Sequence, residues 1–149
     1  MDDEKYMNLA YKEAIKGYNK GEIPVGAVIV LDNQVIAKAH NLKDSAGIVT
    51  YHAEILAIQR ANKKIKDWRL NNAIMYVTLE PCPMCASAIQ QSRISKVIYG
   101  TSSNNIYNTN IVNYIFNNKY SNHNVNFIQS NIFNDKCSNI LNNFFKKIR

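Results

Sequence analysis

Thr78-Leu79-Glu80-Pro81-Cys82-Pro83-Met84-Cys85 joins a strand pattern to a helix pattern and sets two cysteines three positions apart. The run leading into it, Ala73 to Leu79, is apolar and rich in β-branched and aromatic residues, so it predicts a buried strand. Pro83 suits the first turn of a helix, where its missing N–H costs nothing. Ala86-Ser87-Ala88-Ile89-Gln90-Gln91 continues that helix. Positions i and i+3 share a helix face, so both sulfurs point the same way. They also lie at the positive end of the helix dipole, which favours thiolate over thiol. Two converging thiolates make half of a tetrahedral metal site.

The other half is upstream. His52-Ala53-Glu54 opens a second helical pattern, with Ile55, Leu56, Ile58 and Ala61 on its apolar face. One imidazole and two thiolates give three protein ligands and leave the fourth position open, as a catalytic rather than a structural zinc requires. Glu54 is then free to move protons. Each piece alone has a plainer meaning. A C-x-x-C at a helix start also serves as a redox pair. His52 alone is an ordinary histidine, and Glu54 alone a first-turn acid complementing the dipole. Together and in this order, with Pro81 before Cys82, they predict a catalytic zinc site with one ion per chain. His40 and His123 are read as non-ligands.

Such a site would lower the pKa of a bound water toward ~7 and ready it to attack an electron-poor ring carbon that carries an amino group. The ring nitrogen beside that carbon must gain a proton, and the amine must leave as ammonia. Glu54, two residues beyond His52, is the expected shuttle, an effect of roughly 10²–10⁴-fold.

At 149 residues the expectation is one domain, residues 1–149, with one core. No apolar run approaches the ~20 residues of a membrane helix, and Met1-Asp2-Asp3-Glu4 lacks a signal-peptide pattern. Three cysteines, an odd number, fit a reducing compartment: the cytoplasm or an organellar matrix. The net charge of +7 suits a polyanionic partner, although Asn- and Lys-rich composition also arises from genome bias.

In chain order, Asp3 to Lys20 reads as an amphipathic helix, and Val25 to Leu31 with Gln34 to Ala39 as a hairpin through Asp32-Asn33. His40 to Tyr51 reads as a polar loop, and Lys96 to Gly100 as another strand. Thr101 to Asn110 reads as loop, Ile111 to Phe116 as a short helix, and Val125 to Ile128 as an edge strand. Asn134 to Ile148 is helical, with Phe144-Phe145 assigned to its apolar face and so to the core. Helices between the later strands predict an α/β fold, a three-layer α/β/α sandwich around a mixed central sheet.

The H-x-E and P-C-x-x-C elements resemble the signature of zinc nucleobase deaminases. Flanking residues narrow the likeness: Ile23-Pro24-Val25-Gly26-Ala27-Val28, Ala39-His40-Asn41, Ser92-Arg93-Ile94, Val97-Ile98-Tyr99-Gly100, Asn122-His123 and the 137–145 helix. Over most of its length the chain resembles bacterial-type tRNA-specific adenosine deaminases, of the cytidine-deaminase-like superfamily. The resemblance implies hydrolysis of the wobble adenosine of an anticodon to inosine. It implies His52, Cys82 and Cys85 as zinc ligands, Glu54 as proton shuttle, and Asn41, Val25 and Leu79 around the target nucleoside. It further implies a tRNA anticodon stem-loop as partner and a homodimer.

Two places depart from the family pattern. Tyr51 stands where a small residue is common before the zinc histidine, and Thr101 to Asn108 lacks the usual glycines. Competing functions are a deaminase of a free base or nucleotide such as guanine or cytosine, a non-catalytic RNA-binding zinc subunit, and a Cys82–Cys85 redox protein. The basic Lys146-Lys147-Arg149 tail favours an RNA substrate.

Overall fold

The computed structural model describes residues 2–148. Helix α1, Asp3–Asn19, starts where the Asp2 carboxylate accepts from the Lys5 N–H, with Asp3 and Glu4 in its first turn. Tyr6, Met7, Ala10, Ala14 and Gly17 recur at helical spacing and are buried. Strands β1 (Gly26–Leu31) and β2 (Gln34–His40) form the expected hairpin. Its two turn residues, Asp32 and Asn33, have φ of 51° and 62°, the left-handed pair that suits the twist of a two-residue hairpin.

The chain continues through α2 (Lys43–Ala46), α3 (Ala53–Ile65), β3 (Ile74–Leu79), α4 (Pro83–Gln91), β4 (Lys96–Thr101), α5 (Ile106–Phe116), β5 (Asn126–Gln129) and α6 (Asn134–Lys147). The sheet order is β2-β1-β3-β4-β5. β1 runs antiparallel to β2 and β3, whereas β3, β4 and β5 are parallel, so the sheet is mixed.

Alternate residues of each strand feed opposite faces. Val28 and Val30 of β1 and Ile74 and Tyr76 of β3 pack with α1 and with Phe133 and Cys137 near the start of α6. Ala27, Ile29, Met75, Val77 and Val97 face the other way, onto α3, α4 and α5. The result is the three-layer α/β/α sandwich. Gly100 permits one close approach: a Cβ there would lie 2.5 Å from Cys137 Sγ and 2.7 Å from the Thr78 carbonyl oxygen.

Two segments differ from the sequence reading. Residues 43–46, expected as loop, form the helical turn α2, whose Asp44 and Ser45 N–H groups donate to buried Glu22. Helix α5 begins at Ile106, five residues before the expected start. Asn105 caps it by accepting from the N–H groups of Tyr107 and Asn108.

Candidate active site

The parallel crossovers bring the C-terminal end of β3 and the N-termini of α3 and α4 to one place. His52 is the N-cap of α3 and Cys82 the N-cap of α4, with Pro83 at N1 and Cys85 in the first turn. The sequence placed both cysteines inside one helix; the structure sets Cys82 just outside it, in extended backbone. Both helix dipoles therefore present their positive ends to the same small volume.

His52 Nδ1 lies 3.7 Å from Cys82 Sγ and 3.5 Å from Cys85 Sγ, and the three ligand atoms fall within 4.8 Å of one another. Tetrahedral zinc, with Zn–N near 2.0–2.1 Å and Zn–S near 2.3 Å, would hold nitrogen and sulfur about 3.6 Å apart. The donor set thus fits zinc in both chemistry and spacing. Without a metal, the Cys85 thiol hydrogen-bonds Cys82, and this is the main reason Cys82 is lowered to about 5. The N–H groups of Cys85 and Met84 and the His52 ring add to that effect, while burial opposes it. The same hydrogen bond, followed by burial, pushes the Cys85 thiol up. A dication would take the place of the shared proton.

Glu54 is buried in the first turn of α3. Burial raises its carboxyl to about 7, and the Cys82 charge adds to the rise. Its own N–H and a hydrogen bond with Cys85 act in the opposite direction. A carboxyl so tuned can both take and give a proton near neutrality.

Val25, Asn41, His52, Glu54, Leu79 and Cys82 all line one cavity of ≈ 220 Å³. Pockets for drug-sized ligands run to roughly 300–1,000 Å³, so this smaller cavity suits one base rather than a larger molecule. Asn41 has a second task. Its Oδ1 accepts from the Ala53 N–H at 2.8 Å, capping the helix that carries His52 and Glu54. Its Nδ2 could donate to a group bound in the cavity.

Sequence reading assigned no role to Ile23, Lys43, Glu80, Ser103 or Asn108, which also line the cavity. Glu80 stood inside the motif, and Ser103 and Asn108 in the Gly-free segment marked as a departure. That departure does reach the cavity. Tyr51 does not; it packs against the core formed by α3 and the sheet. A second cavity of ≈ 330 Å³ adjoins the first, sharing Ile23, Leu79 and Ser103, and reaches Ser138, Asn142 and Phe145 of α6. The Phe144-Phe145 pair is therefore split. Phe144 is buried as expected, whereas Phe145 is 41% exposed and lines this second cavity.

The remaining histidines have other partners. His40 lies between Glu13 Oε1 (3.2 Å) and Lys20 Nζ (3.0 Å), and His123 Nε2 lies 2.8 Å from the Ile94 carbonyl oxygen.

Comparison with known proteins accords with this geometry. The model of the MafB19-like deaminase family matches residues 1–149. A Bacillus subtilis (strain 168) protein named tRNA-specific adenosine deaminase is 40% identical over 147 residues, covering 99% of this chain and 91% of its own. This chain belongs to the MafB19-like deaminase family, in the branch of tRNA-specific adenosine deaminases. A solved tRNA:A34 deaminase, from work on A-to-I editing at the wobble position of transfer RNA, superposes with a TM-score of 0.83. It is 34% identical, with 92% of this chain and 99% of that one covered. A guanine deaminase from Bacillus subtilis is more distant in fold, with a TM-score of 0.68 at 30% identity over 99% of this chain and 94% of its own. Deaminases of this fold are in general zinc-dependent, and the His/Cys/Cys cluster could hold such an ion. Among the described residues, no helix is long and apolar enough to cross a membrane.

Proposed function

We propose that this chain, as one deaminase domain over residues 1–149, hydrolyses the wobble adenosine of a tRNA anticodon to inosine. One observation carries the reading: His52, Cys82 and Cys85 converge beside buried Glu54 in a cavity sized for a single base. The family relationship supports the substrate, since the tRNA:A34 deaminase exceeds the guanine deaminase in both identity and TM-score. A redox reading would leave His52 and Glu54 without a role.

His52 Nδ1, Cys82 Sγ and Cys85 Sγ would hold one zinc ion per chain. Bound there, zinc supplies the polarisation that lets a water ionise near pH 7. Glu54 takes the proton of that water and passes it to the ring nitrogen beside the amino-bearing carbon. It then carries the second proton to the departing amine, so adenosine and water give inosine and ammonia. Val25 and Leu79 offer apolar surface to the base, and Asn41 Nδ2 donates to the base or its ribose.

A loop adenosine is already partly unstacked, so drawing it into the cavity costs less than extrusion from a duplex. The adjoining cavity, with Phe145 as a stacking surface and Asn142 and Ser138 as polar partners, would take a neighbouring base. Lys146 and Lys147 at the end of α6 would meet phosphates and position the loop without specifying it. Arg149, the last residue of that basic tail, lies outside the described residues.

A second copy of the chain would cover the exposed apolar side chains Met84, Ile106, Tyr107 and Tyr114, which lie on the adjacent helices α4 and α5. A tRNA substrate would place the dimer in the cytoplasm. Incubation with total RNA, followed by reading inosine at anticodon positions, tests the assignment.

A further inference from the structure

Glu80 is 3% exposed, yet it makes no ion pair with Lys or Arg among the described residues. A buried carboxylate needs compensating donors, and here they come from one neighbouring segment. Ser103 donates through its N–H (2.8 Å) and its hydroxyl, Ser102 through its hydroxyl (3.3 Å), and Thr109 through its hydroxyl to both oxygens (3.1 and 3.0 Å). The Glu80 N–H donates in turn to the Thr101 carbonyl oxygen. Alongside, Asn108 Nδ2 donates to the Pro81 carbonyl oxygen at 3.3 Å.

The segment gathered in this way runs from the end of β4 into the first turns of α5. Two of its residues, Ser103 and Asn108, line the reaction cavity, and Glu80 itself stands two positions before Cys82. The segment lacks glycine and carries no charge, and these contacts tie it to Glu80 and Pro81.

We propose that Glu80 is a positioning residue that sets substrate affinity. Its carboxylate fixes how far the Ser103–Asn108 wall stands from the metal-binding side chains. This deepens the tRNA deaminase reading and rests on it. The role is one of hydrogen-bond acceptance, not of charge or proton transfer. A glutamine can keep most of it, because its oxygen accepts from Ser103 while its amide donates to the Thr109 hydroxyl.

The test uses the zinc-loaded full chain with Glu80→Ala, Glu80→Gln, Ser103→Ala and Thr109→Val. It reads KM and kcat on an anticodon stem-loop, together with amide exchange across residues 102–109. Glu80→Ala is expected to raise KM about tenfold or more, with kcat falling less, and to speed exchange at Ser103. Glu80→Gln should stay within about threefold of wild type, with the Ser103 and Thr109 variants between the two. If Glu80→Ala does not fold, those two milder variants carry the same comparison. The proposal is overturned if Glu80→Gln is as damaged as Glu80→Ala, if KM does not move, or if exchange over 102–109 is unchanged. Wild-type protein inactive on the stem-loop would instead remove the functional reading, and the exchange data would still decide the clamp.

Discussion

His52 Nδ1 and Cys85 Sγ stand 3.5 Å apart although 33 positions separate them in the chain. Two helix N-termini and one strand end must all be in place for this, so the site reports the whole sandwich. The first expectation is that purified protein carries about one zinc per chain. Cys82→Ser or Cys85→Ser should lose both the metal and much of the stability, because ligand binding contributes folding energy. Elemental analysis and thermal melts with and without chelator check this. Metal-free protein with a Cys82–Cys85 disulfide would favour the redox reading.

In metal-free protein Glu54 should lower stability as pH rises, against the opposite contribution of the Cys82 thiol, and comparison with Glu54→Gln isolates it. The folded Glu54 carboxyl titrates near 7, against an ordinary value of 4.5. The folded state therefore holds this proton more tightly than the unfolded chain does. The cost of ionising it in the fold is absent below about pH 4.5, grows between 4.5 and 7, and is complete above 7, at about 3 kcal/mol. Glu54→Gln removes the titration. In chelator, the variant should be more stable than wild type at pH 8, and this advantage should vanish by pH 4. Urea melts at several pH values measure the difference, and a pH-independent gap would contradict it.

Different substitutions can separate the observed cap of Asn41 on Ala53 from its proposed donor role toward the substrate. Asn41→Ala removes the acceptor for the Ala53 N–H and should cost about 1 kcal/mol of stability in addition to activity. Asn41→Asp keeps the cap but loses the donor. It should melt near wild type while kcat/KM falls about tenfold, the worth of one hydrogen bond. Equal stability loss in both variants would show that the cap does not matter.

Sedimentation should find a dimer that dissociates on dilution. Ile106→Asp with Tyr107→Asp, at side chains 65% and 77% exposed in the single chain, should shift it to monomer. A dimer unaffected by this pair would place the interface elsewhere.

The convergence of His52, Cys82 and Cys85 was legible because cysteine spacing and helix starts are local features, and the hairpin because Asp32-Asn33 allows only a tight turn. Helix α5 was read short because Ile106, Tyr107, Ile111 and Tyr114 point outward while Val112 and Phe116 point inward. Apolar residues all round erase the periodicity that marks a buried face. Phe144 and Phe145 were taken together, but consecutive helical residues lie about 100° apart, so only one reaches the core. The partners of Glu80 and the cap from Asn41 to Ala53 are tertiary contacts, with no local signature.

The most direct measurement is deamination of an anticodon stem-loop with adenosine at the wobble position, by wild type and by Glu54→Gln protein of equal zinc content. Inosine should form at that position far faster than from free adenosine, guanine or cytosine, and Glu54→Gln should lower the rate by at least ~10²-fold. Efficient turnover of a free base with none on the stem-loop would contradict the account.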